Sequence, residues 1–249
     1  AFLRQFFAGV YERVVERKPD ATIILDKQPA YALHVDLLHR IDPDAIYIQV
    51  VRDVRDVAAS QLAAAKDWHQ GWWVPKKVED IVSRWKMYIN WGRQAQNFGP
   101  GRYIEIRYED LKRDGVPVLQ AVFDGLGLDV DPGTVERIYA AHTIDKMRQT
   151  YTANAESQAA EENAQPLSAM PKGFIRTGKV GGWRQELSPR QRLALYRSAR
   201  TMLVELGYAA PEEVWWYQTP LERLIVPRLA AITNRLRQVT IRFRIFARV

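Results

Sequence analysis

Residues 50–60, VVRDVRDVAAS, hold the side chains whose types and spacing best suit chemistry. Arg52 ends an apolar, β-branched run, and Ser60 follows eight positions later, inside an alanine-rich stretch whose pattern predicts a helix over 56–66. A guanidinium at the carboxyl end of a buried strand stands where open α/β sheets bind ligands. It offers a planar fork of donors, and the start of the next helix adds unpaired N–H groups and a positive dipole end. Asp56 is placed to cap that helix. Together these groups suit the holding of a phosphate. The structural alternative is Arg52 paired with Asp53 or Asp56, an ordinary arrangement at a strand end. A second glycine-rich segment, RTGKVGG at 176–182, has the outline of a phosphate loop. No buried strand precedes it, however, and no Ser or Thr follows its lysine, so it does not read as a Walker loop.

Elements must position these groups. Apolar spacing predicts a helix over 2–17, a short strand at 21–25, and a helix over 32–40 stopped by Asp42-Pro43. Residues 45–51, AIYIQVV, suit a strand buried on both faces of a parallel sheet. Ile81, Trp85, Tyr88, Gly92 and Ala95 form a helical stripe, and 102–108 alternates like a strand. In that helix the Trp85, Tyr88, Trp91 spacing reads as core. Helix-strand-helix-strand order predicts an α/β fold with a mostly parallel sheet flanked by helices. The stretch 150–172, rich in Ala, Glu, Gln and Asn, reads as a long loop of the kind that serves as a lid. Ser188-Pro189 opens a helix running to about residue 206.

Composition narrows the function classes. The 249 residues are 47% hydrophobic and 26% charged, which allows a sizeable core. With no cysteine, disulfides, thiolate metal sites and cysteine nucleophiles are excluded. No apolar run reaches the roughly 20 residues of a membrane-spanning helix, and no signal peptide is visible, so the expected place is the cytoplasm. Of the net charge of +7, residues 220–249 supply +6, from seven arginines and Glu222. The body is near neutral, and the overall basicity does not argue for nucleic acid. The tail mixes helical and alternating apolar spacing and suits contact with an anionic membrane surface, a partner, or the domain itself.

The segment containing Arg52 and Ser60 resembles the 3′-phosphate motif of the sulfotransferases that use 3′-phosphoadenosine 5′-phosphosulfate (PAPS). There an arginine and a serine eight positions later hold that phosphate; the family usually has proline where this chain has Val54. Further segments fall in the family's order. Lys27-Gln28-Pro29 resembles its lysine segment, and Tyr108-Glu109-Asp110-Leu111 its strand end, whose tyrosine approaches the nucleotide. Residues 142–147, HTIDKM, with Thr143, resemble the adenine-lining stretch. Arg176-Thr177-Gly178, followed by Gly181-Gly182-Trp183, is similar to the segment that closes over the 3′-phosphate. The resemblance spans about residues 21–207.

It implies a P-loop-NTPase-like domain over 1–219 with a basic tail at 220–249, and transfer of a sulfuryl group from PAPS to a hydroxyl or amine. The acceptor class would be carbohydrate, lipid or small molecule, the product adenosine 3′,5′-bisphosphate, and no metal would be needed. Lys27 would stabilise charge on the leaving phosphate, and Trp68, His69 and Trp72 would lie where the family shapes its acceptor site. Those aromatics read equally as loop packing. Two departures stand out. Thr177 replaces a lysine, and nothing upstream of Lys27 matches the glycine- and serine-rich phosphosulfate loop, so an N-terminal piece carrying it is expected to be missing. Pro29 stands where one branch has its histidine base, and the base is unassigned. Alternatives are a non-catalytic nucleotide-binding or scaffold relative, a P-loop kinase-like phosphotransferase, and, resting only on the tail, a basic module that binds membranes or nucleic acid.

Overall fold

The computed structural model describes residues 2–67, 74–150 and 176–215. The chain divides into two compact units, 1–187 and 188–249. The first unit opens with α1 (Phe2–Glu16), continues through a 3-10 turn (Pro29–Leu33) into α2 (Val35–Ile41), and reaches β1 (Tyr47–Val51). Then come α3 (Val54–Asp67), α4 (Val78–Gly92) and a second 3-10 turn (Arg93–Phe98). After β2 (Tyr103–Arg107) follow α5 (Tyr108–Arg113), α6 (Gly115–Gly125) and α7 (Pro132–Ala141).

β1 and β2 pair in parallel, with Tyr47 opposite Tyr103 and Val51 opposite Arg107. Among the described residues the sheet has these two strands, joined by the helical crossover that the α/β order predicts. One face of the pair is polar. Tyr103 Oη donates to Glu105 Oε2 at 2.8 Å and lies 2.7 Å from Gln49 Oε1, while the Arg93 fork grips Glu105 at 2.6 and 2.7 Å. Gln49 Nε2 in turn donates to the Tyr88 carbonyl at 3.1 Å, fastening α4 to the sheet. Gly92 makes this approach possible, since a Cβ there would stand 2.6 Å from the Gln49 carboxamide.

The core gathers where α3 and α4 meet β1: Val51, Val54, Ala58, Ile81, Val82 and Trp85 are buried. Of the stripe predicted over α4 and the turn after it, Ile81, Trp85, Gly92 and Ala95 are buried, while Tyr88 is half-buried and Trp91, read as core, is 45% exposed; Ile89 is buried in addition. Residues 21–25 depart from expectation. They form no ladder, and Leu25 is 82% exposed. Apolar β-branched residues suit a strand, but a strand exists only through its neighbour's hydrogen bonds. In the second unit the helix Pro189–Glu205 begins as predicted, with Ser188 and Gln191 forming a reciprocal capping box and Pro189 in the first turn. The reading of 151–172 as a lid, and that of the tail, lie outside the described residues.

Candidate anion-binding site

β1 hands its chain to α3 through Arg52 and Asp53, and the one peptide between them is held from both sides. Trp85 Nε1–H donates to the Arg52 carbonyl at 2.9 Å, and the Asp53 N–H donates to Glu109 Oε1 at 2.9 Å. Asp53 is also the cap of α3, accepting the Arg55 N–H at 2.9 Å, so the helix starts two residues earlier than predicted. The Asp53 carboxylate spends its remaining capacity on the Arg55 fork at 2.7–3.0 Å, and both side chains are buried. Burial pushes the Asp53 carboxyl up and the Arg55 fork pulls it back, leaving it above its usual value. Arg55, not Arg52, therefore takes the acid that the structural alternative would give to Arg52.

That leaves Arg52 for other partners. Its guanidinium lies over the Tyr108 ring, 4.3 Å from the centroid, and Nη2 donates to the Lys179 carbonyl at 3.0 Å. Its Nε–H is buried and has no hydrogen-bond partner among the described residues. An orphaned, buried cationic donor is costly unless an anion or water completes it.

Segment 176–183 folds back onto the start of α3 and is tied there at four places. Arg176 Nη1 donates to the Ala59 carbonyl at 3.0 Å, and its Nη2 binds Glu186. Tyr108 Oη–H donates to the Gly178 carbonyl at 2.9 Å. Burial raises the Tyr108 hydroxyl above its ordinary value, with Arg52 opposing, so it remains a protonated donor. The Lys179 carbonyl takes Arg52. Finally, Asp56, inside the first turn of α3 and not at its cap, accepts the Gly181 N–H at 2.7 Å and the Trp183 N–H at 3.0 Å. Gly178 has φ +57°, and a Cβ there would meet Ile144 Cδ1 at 2.1 Å, so only glycine fits this turn.

Arg52, Tyr108, Arg176 and Gly178 thus converge as the sequence motifs predict. Ser60 follows Ala59, whose carbonyl receives Arg176; its half-buried hydroxyl has no hydrogen bond to a described residue. Thr177 lies exposed in the same segment. Thr143 is exposed at the head of the helical stretch 144–150, and its neighbour Ile144 is the residue that meets Gly178. Lys27 is exposed and makes no hydrogen bond or ion pair with a described residue. Trp68, His69 and Trp72 lie outside the described residues. Sequence reasoning missed Trp85, Glu109 and Asp56 as supports. For Trp85 a signal existed, since a buried indole N–H needs an acceptor. Among the described residues no group of His, Asp or Glu is arranged to hold a metal ion, and no helix is long and apolar enough to cross a membrane.

Two arginines and a glycine turn, next to the helix that carries Ser60, are groups suited to cradling a phosphate-type anion. The model of the sulfotransferase family matches residues 1–132, and the chain belongs to that family. A zebrafish (Danio rerio) relative, carbohydrate sulfotransferase 1, is 26% identical over 132 residues, covering 44% of this chain. The match covers 31% of that relative's length. Two solved structures resemble the fold at 19% identity and a TM-score of 0.46. One is a mouse sulfotransferase complexed with PAP, matched over 66% of this chain and 59% of the other. The second is retinol dehydratase with androsterone and the inactive cofactor PAP, matched over 67% and 50%.

Proposed function

We propose that this chain carries the 3′-phosphate site of a PAPS-dependent sulfotransferase. The observation that supports this most directly is the buried Nε–H of Arg52, unpartnered among the described residues, on a guanidinium whose Nη2 and whose neighbour Tyr108 both hold the glycine turn. PAPS would supply the sulfuryl group as electrophile and leave as adenosine 3′,5′-bisphosphate. Arg52, Ser60 and Arg176 would grip the 3′-phosphate, and Tyr108 and the backbone around Thr177 and Gly178 would close beside it. Thr143 lies at the edge assigned to the adenine. Lys27 is the cation this reading assigns to stabilising negative charge on the leaving side. Trp68, His69 and Trp72 are the residues assigned to the acceptor. The zebrafish relative's name favours a carbohydrate hydroxyl as acceptor over the wider class of hydroxyl- or amine-bearing small molecules and lipids. A contact of residues 220–249 with an anionic membrane surface or a partner is a further part of this reading.

Calorimetric titration with adenosine 3′,5′-bisphosphate tests it, run beside adenosine 5′-monophosphate. Losing a charge-assisted phosphate contact weakens binding by about 1.5–3 kcal/mol, or more than tenfold. The expected result is preference for the bisphosphate, collapsing in Arg52→Ala and reduced in Ser60→Ala. Equal affinity for the two nucleotides would sink the reading.

A further inference from the structure

Asp56 is an acid set beside a cradle built for an anion, where its charge opposes the ligand. It is 4% exposed, and a buried carboxylate needs donors. Its two donors are both amides of the closing segment, Gly181 N–H and Trp183 N–H. The other anchors differ in kind. Arg52, Arg176 and Tyr108 hold the segment with N–H and O–H donors that an incoming phosphate also wants, so ligand and segment compete for them. Asp56 has no donor to offer an anion. Its hold on the segment is therefore the one that phosphate binding does not draw away.

We infer that Asp56 is a positioning residue, a latch that keeps segment 176–183 seated over the phosphate cradle before and during nucleotide binding. Arg52 and Asp56 stand four positions apart across the strand–helix turn, so one short segment carries both the anion's fork and the latch. The inference rests on the function proposed above for its consequence in binding, but the latch itself is readable without nucleotide.

Native-state hydrogen exchange of the full chain, free of nucleotide, reads the latch. The Gly181 and Trp183 amides should exchange at least about tenfold more slowly than that of Val180, which has no hydrogen-bond partner among the described residues. Asp56→Asn keeps the volume but loses one acceptor, and should release at least one of the two. Asp56→Ala should release both, while the Gln49 and Ile106 amides stay protected and report an intact sheet. In titrations, Asp56→Asn should lower the preference for adenosine 3′,5′-bisphosphate over the 5′-monophosphate about tenfold and leave monophosphate affinity unchanged. Wild-type amides as fast as Val180, or both amides still protected in Asp56→Asn, overturn the latch. An equal loss for both nucleotides also overturns it, as general loosening. If the wild type binds neither nucleotide, the proposed function fails and the exchange comparison alone decides the latch.

Discussion

The turn that carries Arg52 and the segment that carries Lys27 are built in opposite ways. Around Arg52, Trp85 and Glu109 hold one peptide, Asp53 caps α3, and four ties bring 176–183 down on top. Around Lys27 residues 21–28 have no regular secondary structure and are exposed, and the nearest side-chain order is Asp26 accepting from Tyr31 at 2.7 Å and Tyr11 at 3.3 Å. A site that must hold an anion in one geometry gains from preorganisation, because the ordering has been done before the ligand arrives. The cradle of this chain has that character, and the lysine segment does not. In the proposed enzyme the two halves should therefore answer to different experiments.

Arg52→Ala is the largest expected break. It removes both the orphaned donor and the tie to the Lys179 carbonyl, so bisphosphate affinity should fall about a hundredfold, as two charge-assisted contacts are lost. Gly178→Ala comes next. Left-handed backbone costs a residue with a Cβ about 1–2 kcal/mol, and the contact with Ile144 adds to it. Bisphosphate affinity should drop tenfold or more, and thermal melting should show a modest loss. Trp85→Phe keeps most of the ring and deletes one N–H, which should lower stability by about 1 kcal/mol in denaturant unfolding. Lys27→Ala sharpens the contrast from the other side: stability and bisphosphate binding should stay at wild-type values, while turnover falls. Bisphosphate affinity falling as far as in Arg52→Ala would place Lys27 in the cradle and erase the distinction.

The smallest effect is set by pH. Burial works against ionised Glu105, but the Arg93 fork and the Tyr103 hydroxyl outweigh it and hold the carboxyl below its usual range. A carboxyl lowered on folding stabilises the protein above its unfolded value, about 4.3, and that contribution is lost as pH falls toward the folded value. Glu105→Gln should therefore flatten the acid side of the stability curve and leave neutral-pH nucleotide binding untouched, as read by denaturant midpoints between about pH 5 and 3.

What could be read from the sequence was whatever repeats locally. The apolar run at 45–51, the stripe from Ile81 to Gly92 and the Ser188-Pro189 start each state their structure within a few residues, and each element is present, although Val50 is 56% exposed where burial on both faces was expected. The convergence of Arg52, Tyr108, Arg176 and Gly178 was legible only through their order along the chain. Their supports were not. Asp56 looks like an ordinary cap until a segment 125 residues away supplies the amides it holds. Glu109 looks solvent-bound until the Asp53 N–H arrives. Residues 21–25 misled for the same reason, since pairing is a property of the neighbour and composition is a property of the strand.

Gly92 extends these supports beyond the cradle. It lies seven residues, two helical turns, after Trp85, so the two share one stripe of α4, about 10 Å apart along the axis. At one end the stripe is pressed close to the sheet by the Gln49 carboxamide; at the other it holds the Arg52 carbonyl. α4 therefore works as a lever whose pivot is a missing methyl group. Any side chain larger than hydrogen at 92 would lift that end of the rod and tilt the indole away from its carbonyl. The damage would be felt as poor nucleotide retention, at a position no nucleotide atom would reach.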